Sequence, residues 1–164
     1  MSPALVILLL CAGSLLAFPK DGEGGPISCP TKKTSREREE MRRSIVWYHN
    51  RYRESNQKVV TYDCDLEKKA YRVLKDGKID ESKLKKYDGN DFEDEIEKGM
   101  KVKDYLDKAM SGWYEYGEEH YRMSRADTNR VGCAYKRSSD IFYFVCVYDQ
   151  LAVYLLDFAI VHIL

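Results

Sequence analysis

Residues 120–148 read HYRMSRADTNRVGCAYKRSSDIFYFVCVY, and this stretch decides the fold. It contains two runs with strand character, Arg130–Lys136 and Ile141–Tyr148, each carrying one cysteine. Between them, Arg137-Ser138-Ser139-Asp140 is a polar cluster of the kind that reverses a chain. The second run is apolar or aromatic at every position and rich in β-branched and aromatic side chains, so both of its faces need cover. A central strand flanked by helices is the consequence. In such a hairpin Cys133 and Cys146 face each other within reach of a disulfide. Ahead of the hairpin, His120 stands in the acidic sequence Glu118-Glu119-His120-Tyr121.

Residues 1–17, MSPALVILLLCAGSLLA, hold an apolar run, Ala4–Leu10, and then small residues around a cut after Ala17. This is the pattern of a secretory signal peptide, although without the usual basic opening. The apolar run is well short of the ~20 residues a spanning helix needs. The mature chain then begins near Phe18 and is long enough for one domain with a real core. Lys and Arg number 27, and Asp and Glu also number 27. That balance gives no case for nucleic acid or an anionic membrane as the main partner. With Cys11 removed alongside the signal, Cys29, Cys64, Cys133 and Cys146 remain. Four cysteines in an exported chain suggest two disulfides, with three connectivities open. The hairpin favours Cys133–Cys146, which by elimination leaves Cys29–Cys64. No pair has the short C-x-x-C spacing that zinc sites favour.

Residues 18–33 are rich in Gly, Pro and Lys and read as an irregular lead-in. Thr34-Ser35-Arg36-Glu37 then forms a T-x-x-E capping box. It opens a helix to about Glu54, with Met41, Ile45, Tyr48, His49 and Tyr52 on one face. The charged run Arg36–Arg43 reads as the solvated opening of that helix. Lys58–Tyr62 is a short extended segment. Asp63 or Asp65 caps a second helix, with Leu66, Ala70, Val73 and Leu74 on its apolar face. Lys75–Lys98 has few apolar anchors and reads as a loop-rich insertion with at most a short helix. Helical spacing returns with Val102, Tyr105, Leu106, Ala109, Met110 and Trp113, a core stripe. The order of elements suggests a single α+β domain over residues 34–149. The apolar tail, residues 150–164, is interrupted by Asp157 and His162 and is too short to span a bilayer. It is either a packed terminal element or a misplaced gene end.

Several of these segments resemble one family in wording and order. His49-Asn50-Arg51-Tyr52-Arg53 is similar to the HN-x-x-R signature of the CAP superfamily, which comprises the cysteine-rich secretory, antigen 5 and pathogenesis-related proteins. Asp63-Cys64-Asp65-Leu66-Glu67-Lys68-Lys69-Ala70 is similar to its LE-x-x-A segment, and Trp113-Tyr114 to the tryptophan ending a later helix. His120-Tyr121, Val131-Gly132-Cys133-Ala134-Tyr135 and Phe144-Val145-Cys146-Val147-Tyr148 match HY, GCA and VC-x-Y. The resemblance runs from about Cys29 to Asp149 and is nearest to the activation-associated secreted proteins of parasitic nematodes. It implies an α-β-α sandwich with a central antiparallel sheet flanked by helices. It also implies a cleft with two histidines and two glutamates that holds a divalent metal, such as zinc, in some members.

By the same resemblance His120 is the second cleft histidine, and Glu115 or Glu118 stands nearest to one cleft glutamate, out of register. The other histidine and the glutamate of the GEN motif have no counterpart; Gly89-Asn90-Asp91 supplies neither. Catalytic zinc typically keeps three protein ligands. His49 lies on the buried face of the first helix and reads as a core residue, and His162 lies in the tail. No serine is placed as a nucleophile, and the disulfides leave no thiol for one. The cleft is therefore expected to be a remnant around His120, Glu115 and Glu118, with no catalytic residue, no metal and no cofactor. The expected function is a secreted, non-enzymatic module that binds an extracellular protein partner through the Lys75–Lys98 segment, since loops on a stapled scaffold commonly carry recognition. No nucleic acid and no stable membrane insertion are expected. The alternative is extracellular lipid or sterol binding, which 13 Tyr, 5 Phe and 2 Trp would suit. A metal-dependent hydrolase comes third, because ligands are missing.

Overall fold

A computed structural model describes residues 27, 29, 35–51, 53, 55–115 and 117–149, with the backbone alone at 118, 119 and 121. The elements are α1 (Arg36–Arg51), β1 (Thr61–Tyr62), α2 (Cys64–Val73), α3 (Glu81–Lys86) and β2 (Gly89–Glu95). They continue with α4 (Val102–Glu115), α5 (Gly117–Ser124), β3 (Arg130–Arg137) and β4 (Ile141–Tyr148). The expected signal segment, the tail with His162, Cys11, Tyr52 and most of the lead-in lie outside the described residues. So does the side chain of Glu118.

One sheet has the strand order β1-β3-β4-β2. β4 lies between two antiparallel neighbours, β3 and β2, with Cys133 opposite Cys146 and Phe92 opposite Phe144. β1 runs parallel to β3 over two residues, so the sheet is mixed. Alternation along β4 serves two cores. Phe142, Phe144, Cys146 and Tyr148 join Met41 and Ile45 of α1 and the apolar stripe of α4, while Tyr143, Val145 and Val147 join Leu66, Ala70 and Val73 of α2 and Leu84 of α3. Helices therefore cover both faces of the sheet, as the uniformly apolar strand demanded. Tyr105 stacks on Phe142 and Trp113 on Phe144, with ring centroids 4.5 and 5.3 Å apart. Both expected disulfides are present: Cys133–Cys146, with Cα atoms 4.1 Å apart, and Cys29–Cys64, at 5.5 Å. Asp63, rather than Asp65, caps α2, accepting from the backbone N–H of Asp65 and Leu66.

Two expectations are corrected. Lys75–Lys98 is not a loop-rich insertion; it contains α3 and the seven-residue strand β2. β2 is an outer strand with exposed acidic residues, so it lacks the apolar alternation that marks a strand in sequence. Its outer carbonyls are capped from α4: Trp113 Nε1 donates to the Asp91 carbonyl at 2.9 Å and Tyr105 Oη to that of Glu95 at 3.3 Å. Eight helical residues rise ~12 Å and four extended residues ~13 Å, so two turns of α4 match the strand. This edge is thereby blunted against pairing with another chain.

The second correction concerns the charged opening of α1. Arg42 within it has no exposed surface. Its Nε and Nη2 donate to the two carboxylate oxygens of Glu67 at 2.8 and 2.9 Å, and its Nη1 to the Ile27 carbonyl at 3.2 Å. Tyr62 Oη adds a third bond to Glu67 at 2.6 Å. Arg42 falls one position after Met41, at the margin of the apolar stripe, and there it ties α1 to α2.

Candidate functional site

The C-terminal end of α1 carries His49 and Asn50, Arg53 follows two residues beyond it, and each side chain reaches a different part of the chain. His49 is 3% exposed. Its Nδ1 lies 2.7 Å from the Ile45 carbonyl and its Nε2 3.1 Å from Tyr148 Oη. A carbonyl only accepts, so the proton is assigned to Nδ1, and Tyr148 donates to the Nε2 lone pair. Asn90 in turn donates to Tyr148 Oη at 3.2 Å. Asn50 closes a two-way pair with Val60, Nδ2 donating to its carbonyl and Oδ1 accepting from its N–H, both at 2.8 Å. Arg53 Nη2 donates to the carbonyls of Met123 and Arg125 at 3.3 and 3.2 Å. Its Nε and Nη1 are buried without a hydrogen-bond partner.

Beside this cluster lies a cavity of about 300 Å³, whose walls include Tyr48, His49, Arg53, Tyr114, His120 and Ser124. α5 brings His120 to it. His120 Nδ1 is 2.6 Å from the Tyr114 carbonyl, so it too carries the proton on Nδ1. Ser124 Oγ donates to the His120 carbonyl at 2.7 Å. Glu115 is exposed at the end of α4 and does not line the cavity.

A divalent metal, implied by the resemblance, does not fit the donor set described. Both His49 nitrogens are engaged in internal hydrogen bonds, and Arg53 places a guanidinium in the cavity wall. Among the described residues no group of three or more His, Cys, Asp or Glu is placed to hold a metal ion.

Burial lowers the pKa of His49 from 6.5 to about 4, the nearby Arg53 charge adds to the fall, and the bond to Ile45 opposes it. The folded chain therefore keeps His49 neutral at pH values where the unfolded chain protonates it, and protons favour unfolding. Stability attributable to this residue is intact above pH 6.5 and is lost as pH falls toward 4, on the order of 3 kcal/mol in full. Urea unfolding across that range should show the loss in the native protein and a shallower one in His49→Gln. Identical pH profiles would rule His49 out as the source.

The sequence motifs thus meet one another in space. HN-x-x-R on α1 reaches the tyrosine of VC-x-Y on β4 and the backbone after His120. The glutamate of LE-x-x-A lies against the glycine of GCA. The hydrogen-bonding roles of Asn90 and Tyr148 were not foreseen, although Tyr148 closes the VC-x-Y motif and Asn90 lies in the Gly89-Asn90-Asp91 segment.

Three layers, two disulfides and these motif contacts define a CAP-type sandwich. The chain matches the family model described as Ancylostoma-associated secreted protein related over residues 29–148 and belongs to that family. Among solved structures it is similar to a hookworm platelet inhibitor, with 20% identity, 76% of this chain and 75% of that chain covered and a TM-score of 0.57. It is also similar to NaASP2 solved with Zn2+, with 20% identity, 74% and 83% coverage and a TM-score of 0.55. Manganese-bound Ac-ASP-7 gives 18% identity, 76% and 74% coverage and a TM-score of 0.57. No match was found among curated proteins by sequence. Among the described residues no helix is long and apolar enough to cross a membrane.

Proposed function

We propose that this protein is a secreted, non-enzymatic CAP module that engages an extracellular protein partner, its central cleft retained as framework. One observation carries the reading: three polar side chains of its signature motifs, those of His49, Asn50 and Glu67, are spent on internal hydrogen bonds. Each closes two or more such bonds, and a group so engaged is a poor nucleophile, base or ligand. The two disulfides suit an oxidising compartment. A structural neighbour named as a platelet inhibitor supports binding rather than turnover. Recognition is assigned to the exposed parts of 75–98, a turn through Asp76 and Gly77 at positive φ and then α3.

The test pairs calorimetry with co-purification from extracellular fluid. Zinc titrated into the refolded protein should give no single site of micromolar or tighter affinity. Such a site, abolished in His120→Ala, would overturn the reading in favour of a metal-dependent role. A protein retained by the native chain and lost from Lys78→Glu/Lys85→Glu supports the partner assignment, and retention that is absent or equal refutes it. Extraction of lipid from vesicles, with no protein retained, would favour the lipid or sterol alternative.

A further inference from the structure

The equal totals of basic and acidic residues conceal an uneven distribution in space. The outer side of α2 faces away from the sheet, because Leu66, Ala70 and Val73 hold the opposite side in the core. On the outer side Tyr71 is 38% exposed; elsewhere, among the described residues, the other exposed large apolar side chains are Val59 and Trp47. Lys68 lies three residues before it, a helical turn away, Arg72 is adjacent, and Lys75 follows two residues past the helix end at Val73. Partial burial raises the pKa of the Tyr71 hydroxyl, and the charge of Arg38 on the neighbouring α1 opposes that rise. Further along the same layer, Lys69 lies over the ring of Tyr87 at the end of α3, 5.8 Å from its centroid. Burial raises the pKa of the Tyr135 hydroxyl, Glu37 of α1 and Tyr71 add to the rise, and Arg38 opposes it, so Glu37 is one acid on this side. The others are Asp65, paired with Lys68 at 2.8 Å, and Asp76, 3.9 Å from Lys75. Both pairs are well exposed, so an incoming anion competes with them at little cost. Glu67 is turned inward and neutralised by Arg42.

We propose that this face of α2, an exposed Tyr71 set among Arg38, Lys68, Arg72 and Lys75, binds a sulfated polysaccharide. The cations supply charge-assisted hydrogen bonds to sulfate oxygens, and the tyrosine ring supplies a flat apolar surface for a sugar ring. Nucleic acid offers similar charge and stacking, but a chain with two disulfides belongs to an oxidising compartment where polysaccharide is the polyanion at hand. A membrane surface would call for several projecting apolar residues, and this side of α2 presents only Tyr71. With formal charge balanced overall, bulk attraction to a polyanion is absent, so binding has to come from this patch.

The refolded full chain, titrated with heparin at low salt, should bind with an affinity that falls as salt rises. Lys68→Ala/Arg72→Ala/Lys75→Ala should weaken binding about tenfold or more and reduce the slope of log affinity against log salt by about 2. Tyr71→Ala should weaken it several-fold with the slope unchanged. Lys101→Ala/Lys103→Ala, at the start of α4 and away from this patch, should bind as the native chain does. Thermal melts of each variant separate lost binding from lost fold. No binding by the native chain, equal binding by the triple variant, equal binding of desulfated heparin, or tighter binding of single-stranded DNA or phosphatidylserine vesicles would each overturn the assignment.

Discussion

Arg42→Ala is expected to destabilise the protein by about 3–5 kcal/mol, and Glu67→Gln by a comparable amount, in urea unfolding with the disulfides intact. The magnitude follows from what each change leaves behind. Arg42 and Glu67 form a two-pronged pair whose side chains are 0% and 3% exposed. Removing one partner strands a charge, together with its unmet hydrogen bonds, in a site that water does not reach. Glu67 also accepts from Tyr62 Oη, which in turn accepts from the Cys133 N–H at 3.2 Å. Loss of the carboxylate thus disturbs the edge of β3 as well as the α1–α2 contact. Exchanging the whole pair for an apolar one removes the stranded charge. Arg42→Met/Glu67→Leu should accordingly cost less than the two single changes together, with a coupling of at least ~1 kcal/mol. Additive losses, or single losses below ~1 kcal/mol, would mean that the pair behaves as an exposed one.

What could be read in advance follows the same physics. The β3–β4 hairpin, the core stripe of α4 and both disulfides were legible, because an eight-residue run apolar or aromatic at every position leaves few arrangements open. β2 was not legible: its carbonyls are satisfied by Trp113 and Tyr105, residues recognisable beforehand only as core members. Arg42 was misread because a charged residue in a charged run points to solvent unless its partner is known, and Glu67 is 25 positions away. The candidate site was legible by family resemblance at His120 alone. His49 was correctly assigned to the core, yet its bond to Tyr148 spans 99 positions, and no local pattern encodes that distance. Motifs recognised as words proved to be contacts between layers, which is why they recur together along the chain.

Gly132 gives the sharpest test of that view. It lies in β3 against the first turn of α2, and a Cβ built there would stand 2.1 Å from the backbone N of Glu67 and 2.5 Å from both the carbonyl O of Asp63 and the carbonyl C of Leu66. These are main-chain atoms at a helix start whose cap, Asp63, is itself bonded to the β3 backbone through the Val131 carbonyl at 2.8 Å. They cannot move aside as the end of a long side chain would. Adding a methyl group must lift α2 from the sheet, pulling at the Arg42–Glu67 pair and opening the core that Leu66 and Ala70 close. Gly132→Ala should therefore cost at least the upper part of the ~1–3 kcal/mol typical of overpacking, although alanine suits a strand no worse than glycine does. Gly112 supplies the control. It lies within α4 with nothing inside 4 Å of its Cβ position, so Gly112→Ala should gain ~0.5–1 kcal/mol from helix propensity. Opposite signs in urea unfolding of the two variants are the expected result. A neutral Gly132→Ala would mean that α2 is not held against β3 at that spacing, and the glycine of the GCA motif would then need another explanation.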